Sequence, residues 1–277
     1  MDREKSYLME SDSEAFRLDI KVDEETVRNQ ARWAGIQPGM RVADLGCGPG
    51  RITSILHELV QPGGEVVGVD GSPERLAYAR EKYGRDGIVF KEGDLTGSLT
   101  ELGRFDFVWV RFVLEYFRSS CAEMVGNFSS ILNPGGIMCL IDLDHNPCVY
   151  YGTSERLGRT FRQVMAKLEE EGDFDPYVGR KLYSILYDLG FAEIDVRVEN
   201  YRVSFGTVDE LELENTLRKI KLVPGKINFS FDEYPGGLSE FQAEAERFFR
   251  DPRRFAYTPL IACRGVKRLV ESPAAGN

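Results

Sequence analysis

VADLGCGPGR, residues 42–51, announces the fold. A short apolar run beginning at Arg41 reads as a strand, and the loop after it is almost bare of side chains. Gly46, Gly48 and Gly50 alternate with Cys47 and Pro49, and Asp44 stands two places before the first glycine. Glycine tolerates positive φ and lets backbone come close to a ligand. The run after the loop is helical, because Ile52, Ile55, Leu56 and Leu59 recur at helical spacing until QPGG (61–64) stops them. A strand, a glycine loop and a helix in that order belong to an open parallel sheet, whose ligands bind beyond the carboxyl ends of the strands.

Glycine spacing narrows the ligand. A dinucleotide loop places its third glycine three residues after the second, for close helix–strand contact. That place is Arg51, and the third glycine is Gly50 instead. A Walker loop is absent too, since no G-K-[ST] comes after it.

Over the whole chain, strands are predicted at 41–45, 65–69, 88–91, 105–110, 137–143, 193–198 and 257–263. Ser72 and Pro73 open a helix in the order of cap and then proline; Leu76, Ala79 and Tyr83 face inward, and Gly84 closes it. Ala122, Val125 and Phe128 mark another helix, stopped by NPGG (133–136), and 179–189 reads as a further one. The alternation of strand and helix predicts an α/β fold, doubly wound with right-handed crossovers. Two segments fall outside this pattern, 1–37 and 200–252, and both are expected to form a cap. The core is then 38–199 with 253–270.

The chain has 277 residues, which suits one large domain with a cap. Hydrophobic residues make up 42% and charged residues 29%, a soluble globular composition. A net charge of −10 repels polyanions on average, so neither nucleic acid nor an anionic membrane is expected as a partner. The start, MDREKSYLMESDSEAF, has no apolar core, so no signal peptide is expected. Cys47, Cys121, Cys139, Cys148 and Cys263 are scattered and odd in number, which fits reduced thiols in a cytoplasmic protein. No His/Cys/carboxylate spacing suggests a metal. The sequence is silent on oligomeric state.

Five segments come in order: DLGCGPG (44–50), VVGVDGSPE (66–74), EGDL (92–95), FDFVWVRFVLEY (105–116) and LNPGGIMCLID (132–142). Together, over roughly 36–145, they resemble the class I S-adenosylmethionine-dependent methyltransferases. The pattern is closest to the branch that modifies small molecules, including the quinone-biosynthesis C-methyltransferases. The resemblance implies a mostly parallel seven-stranded sheet with its last strand antiparallel, helices on both faces and a helical cap. It also implies S-adenosylmethionine as cofactor. Gly46, Cys47, Gly48 and Gly50 would run along its amino-acid tail and sugar, and Asp44 would accept from the α-ammonium. Asp70 would accept from both ribose hydroxyls, since a carboxylate offers two oxygens. Asp94 would meet the adenine amine, and the Leu95 N–H a ring nitrogen. The family often carries an apolar or long side chain after the ribose acid. Here Gly71 takes that place, leaving Ser72 or backbone against the ring.

Three residues carry two readings each. Tyr7, in SYLMESDSEAFRL, is a cap aromatic or a lid over the cofactor. Arg111 is a surface arginine paired with Glu115, or a cleft guanidinium that meets a carboxylate of cofactor or acceptor. His145, in IDLDHN, is a loop histidine, or a base that takes an acceptor proton near pH 7. The sharper readings of Arg111 and His145 imply a small-molecule acceptor with an acidic or phenolic group. The expected reaction is in-line attack of an acceptor O, N or C on the sulfonium methyl. A non-catalytic S-adenosylmethionine-binding protein and a protein methyltransferase are the alternatives. The [DNS]-P-P-[YFW] signature of amino-methylating DNA enzymes is missing after the fourth strand, where VRFV stands.

Overall fold

The computed structural model describes residues 14–20, 22–145 and 149–269. Its strands are β1 (Arg41–Leu45), β2 (Glu65–Asp70), β3 (Ile88–Glu92), β4 (Phe105–Arg111), β5 (Leu132–Leu143), β6 (Val149–Tyr151), β7 (Ala192–Phe205) and β8 (Phe255–Val266). Its helices are α1 (Glu14–Ile20), α2 (Glu24–Ala34), α3 (Arg51–Leu59), α4 (Pro73–Tyr83), α5 (Cys121–Ser130), α6 (Glu155–Glu171), α7 (Leu182–Asp188), α8 (Glu210–Lys226) and α9 (Gly237–Phe249). The sheet runs β3-β2-β1-β4-β5-β8, with β7 on the far side of β8. The first five strands are parallel, and β8 is antiparallel to both β5 and β7.

Alternation along the central strands sorts side chains to two faces. Ala43, Leu45, Val108 and Val110 join α5 and α7 in one apolar layer. Val42, Phe107 and Trp109 join α2 and α3 in the other. This explains why β4 is apolar at nearly every position: it lies between β1 and β5 with helices above and below.

Gly50 sets how closely α3 can approach the sheet. It has φ +86°, and a Cβ there would fall 2.8 Å from both Ala79 Cβ and Phe90 Cζ. The third glycine thus secures helix packing, one residue earlier than in a dinucleotide loop. The start of α4 is built as its sequence predicts. Ser72 Oγ accepts from the Arg75 N–H at 3.3 Å, and Pro73 opens the first turn.

The structure departs from the sequence expectations in four places. A short eighth strand, β6, pairs with the first residues of β8, where β5 no longer reaches. Next, β7 continues to Phe205, so the segment from 200 begins as strand rather than as cap. An edge strand exposed on both faces shows little alternation, and Val198, Val203 and Phe205 are all exposed. Third, α2 lies within the segment expected to be cap, but it buries Val27, Ala31 and Ala34 in the same layer as Val42 and Trp109. Fourth, α6 packs Leu157 and Phe161 into the cluster of α9, with Phe241, Ala245 and Phe248. Its signal is in the sequence, as Leu157, Val164 and Leu168 at helical spacing behind the cap Ser154.

One buried carboxylate fastens α1 to the core. Asp19 is fully buried and accepts from Tyr83 Oη at 2.5 Å, Lys82 Nζ at 2.5 Å and Tyr78 Oη at 3.2 Å, all on α4. Burial pushes its carboxyl up, but the hydrogen bonds from Lys82 and Tyr83 prevail and hold it below the usual carboxylate range. Asp19→Ala removes these bonds and should cost about 1–3 kcal/mol of stability. Hydrogen exchange should then accelerate over 14–20 while the sheet stays protected. Unchanged exchange in that helix would refute the anchoring role.

Candidate active site

A cavity of about 370 Å³ opens beyond the carboxyl ends of β1, β4 and β5. The glycine loop forms one end of it. Gly46 N and Cys47 N donate to the Val69 carbonyl at 2.7 and 3.0 Å, and Gly48 N donates to the Asp70 carboxylate at 2.9 Å. The loop is therefore tied to β2 as well as β1. Gly46 has φ +81°, and a Cβ there would collide with Val113 Cγ2 at 2.3 Å. A Cβ at Gly48 would meet nothing within 4 Å, so at this point the backbone itself faces open space. Burial pushes the Cys47 thiol well up, so it stays a neutral, packed SH group.

Two acids stand behind the loop. Asp44 is buried, and Thr53 Oγ1 donates to it at 2.6 Å. Burial pushes its carboxyl up to about 7; the Thr53 bond and Arg111 oppose this, while the Asp70 charge adds to it. Asp70 is also buried and accepts from Ser72 N at 2.9 Å, with Arg75 Nε at 3.4 Å. Beside it, Gly71 is exposed, and the nearest atom to a Cβ there would be the Gly93 carbonyl oxygen at 3.9 Å. Ser72 Oγ is occupied with the α4 cap and Glu74.

The third-strand pair, like Asp44 and Asp70, is not among the residues that line this cavity. Asp94 is exposed and closes its own turn, accepting from Thr96 N at 2.9 Å and Thr96 Oγ1 at 2.7 Å. Leu95 is buried in the main apolar layer. Tyr7 lies outside the described residues.

Arg111 ends β4 and lines the cavity. Its guanidinium lies 4.1 Å from the ring centre of Phe112, which in turn meets Tyr201 edge-on at 5.1 Å. Phe112 adopts φ 57°, a left-handed conformation that aromatic residues rarely take and that marks functional loops. The Arg111 Nε has no hydrogen-bond partner, and burial lowers the guanidinium pKa, opposed by Tyr201 and Asp142. Of the two readings of Arg111, the cleft position is the one found.

His145 also has a left-handed backbone, at φ 60°. Its ring meets Tyr177 edge-on at 5.3 Å, outside the cavity lining. Two acids that carry no sequence signal of a base stand at or just beyond the ends of β4 and β5. Asp142, at the end of β5, is fully buried and accepts from Leu114 N at 3.0 Å and Leu143 N at 2.9 Å. Burial, then the neighbouring Glu115 charge, pushes its carboxyl well up. Glu115 is itself buried and lines the cavity. The outer wall has no sequence signal either. It takes Tyr150 from β6, Tyr201 from β7, Phe249 from α9 and Arg254 from the turn before β8. Four separate segments supply them, so no local motif could announce them.

Comparison with known proteins agrees with this geometry. Residues 36–186 match the family described as a methyltransferase domain. That is more than half of the chain, and the chain belongs to this family. S-adenosylmethionine is the cofactor of the family. An uncharacterised 37.1 kDa protein in a transposon of Streptomyces fradiae is 30% identical over 56% of this chain and 44% of its own length. The juvenile hormone acid O-methyltransferase of Bombyx mori is 29% identical over 66% of this chain and 67% of that protein. The chain thus spans less than half of the first relative and about two thirds of the second. Among solved structures, Haemonchus contortus phosphoethanolamine N-methyltransferase 2 has the same fold, with a TM-score of 0.59 at 18% identity. That match covers 94% of this chain and 59% of the other. Among the described residues no helix is long and apolar enough to cross a membrane.

The state of Asp44 has a measurable consequence. Its folded pKa lies above the ordinary 3.8, so between about 4 and 7 the folded protein holds a proton that the unfolded chain has released. That contribution to stability falls as pH rises through this window. Asp44→Asn keeps an acceptor for Thr53 but cannot ionise. Its stability relative to the parent should rise by about 1 kcal/mol per pH unit over that window and level off above it. Urea unfolding of both proteins between about pH 5 and pH 8 measures the difference, and a flat difference would contradict the assignment.

Proposed function

We propose that this protein transfers a methyl group from S-adenosylmethionine to a small-molecule acceptor that carries an acidic group. The observation that carries the reading is the continuity of the cavity. It begins at the bare backbone of Gly48 and extends past Arg111 to aromatic walls supplied by β7 and α9. A protein that only held the cofactor would have no need of the outer half.

The residues present suit the cofactor. Asp44 is a buried acid whose ionisation is costly until a cation comes to it, and the α-ammonium is such a cation. Arg111 acts electrostatically on Asp44, and its buried Nε lacks a partner, so the amino-acid carboxylate belongs beside it. Asp70, already oriented by Gly48 N and Ser72 N, presents its oxygens to the ribose. The open side of Gly71 leaves room for a flat ring between Ser72 and the β3 end. Asp94 and Leu95 keep their adenine roles in this reading, since the turn with Thr96 engages only Oδ1 of Asp94. When bound, S-adenosylmethionine supplies an activated methyl group on sulfonium. The chain then has to hold the acceptor in line and keep water out. Leu18 and Val22, from and just after α1, line the cavity and serve as part of the cover. In this reading an acceptor proton goes to Glu115, which lines the cavity, rather than to His145, which stands against Tyr177 outside the lining.

The branch within the family is read from acceptor chemistry. Resemblance to quinone-biosynthesis C-methyltransferases suggests a phenolic acceptor, and similarity to a juvenile hormone acid O-methyltransferase suggests a carboxylic one. Both acceptors carry an acidic oxygen. The free, buried thiols Cys47, Cys121, Cys139 and Cys263 fit a cytoplasmic setting.

Calorimetry with S-adenosylhomocysteine tests the cofactor site. Asp70→Ala should weaken binding by ~1.5–3 kcal/mol. Affinity of the parent should fall by up to about tenfold per pH unit below about 7, as Asp44 takes up its proton, and Asp44→Asn should abolish that slope. NADH binding without any response to S-adenosylhomocysteine would overturn the reading.

A further inference from the structure

The cavity holds more positive charge than its cofactor end requires. Its charged lining residues are Arg51, Arg75, Arg111, Arg202, Lys219 and Arg254 against Glu115 and Glu212, in a chain of net charge −10. Three of the arginines are neutralised locally. Arg51 pairs with Glu24 at 2.8 Å, Arg75 with Asp70 at 3.4 Å and Arg202 with Glu212 at 2.7 Å. Arg111 and Arg254 make no ion pair among the described residues. Arg111 belongs to the end near Asp44.

Arg254 stands at the opposite end, in the turn before β8. It is 2% exposed. One of its terminal nitrogens donates to Ser204 Oγ on β7 at 2.6 Å, and its guanidinium stands 5.7 Å from the ring centre of Phe249. Its Nε has no partner. Gly206 N donates to its carbonyl at 3.0 Å, so the turn that presents it is held to β7. A hydroxyl and a ring face orient a guanidinium but leave its charge uncompensated. Burying a cation without a counter-ion is costly, and a protein that keeps one normally has an anion to meet it. The planar fork of arginine suits the oxygens of a carboxylate or a phosphate.

We propose that Arg254, oriented by Ser204, anchors an oxyanion on the acceptor, a carboxylate or phosphate on a small organic body. The inference rests on the methyl-transfer reading and makes it more specific. It assigns the two unneutralised arginines to two different anions, Arg111 to the cofactor and Arg254 to the acceptor. Tyr150 and Phe249 line the same region, so the body next to the oxyanion is apolar or aromatic.

Benzoate, phenyl phosphate and the neutral benzamide serve as probes, each titrated into the protein with and without S-adenosylhomocysteine. At least one anion should bind, benzamide should not, and Arg254→Gln should weaken the anion by about tenfold to a hundredfold while leaving S-adenosylhomocysteine affinity unchanged. Preference for benzoate over phenyl phosphate, or the reverse, identifies the oxyanion. Ser204→Ala should weaken the same anion less. If Arg254→Gln does not fold, Arg254→Lys keeps the charge without the fork and should still weaken binding. Neither anion binding up to about 10 mM, or equal affinity in parent and Arg254 variants, overturns the anchor. Failure of the parent to bind S-adenosylhomocysteine sinks the methyl-transfer reading instead, and the anion titrations without it still judge Arg254.

Discussion

The bare turn from Gly46 to Gly50 constrains the whole molecule. It has to leave β1, cross beside β2 and start α3 within a few residues, with no room for side chains at two of its glycines. At Gly46 the obstacle is Val113, beyond β4; at Gly50 it is Ala79 on α4 and Phe90 on β3. The turn is therefore wedged against β3, α4 and the segment that follows β4 at once. A larger residue at either glycine would displace elements rather than one side chain. The same wedge leaves the backbone of Gly48 open toward the cavity and brings its N–H to Asp70.

That arrangement places the acids before any ligand arrives. Asp44 sits on β1 one residue from its end, and Asp70 ends β2. Parallel register sets Asp44 beside Gly68 and Leu45 beside Val69, so the two carboxylates emerge on the same side of the loop. Each already has hydrogen-bond donors, which hold its oxygens in a definite orientation. Binding then needs little reorientation of either carboxylate. Arg111, on the neighbouring strand β4, receives its position from the same parallel pairing.

The outer half of the cavity is built differently. Its walls come from β6, β7, α9 and the turn before β8, and their positions depend on two antiparallel pairings with β8. Extension of β7 to Phe205 brings Tyr201, Arg202 and Ser204 to the cavity; a strand ending at 198 would leave them in a loop. The aromatic cluster of α6, α8 and α9 packs behind that wall, with Tyr150 edge-on to Phe248 at 5.4 Å. The glycine loop and its acids thus stand on the parallel half of the sheet, and the aromatic outer wall with Arg254 on the antiparallel half.

The parallel half is legible in the amino-acid sequence. Strand, glycine loop and helix are local patterns, and each acid there lies at a strand end that its own apolar run announces. The third glycine reads as a packing residue because the dinucleotide spacing fails at Arg51. Other features take their form only from long-range packing. Whether Arg111 faces solvent or the cavity depends on Phe112 and Tyr201, the latter ninety residues along the chain from Arg111. The position of His145 depends on Tyr177, more than thirty residues along the chain. Arg254 carries no motif at all. A lone arginine before a strand is ordinary in sequence, and it becomes a buried cation only when β7, α9 and β8 close around it. Local patterns set which residues form strands and loops; long-range pairing alone sets which charges are left without a partner.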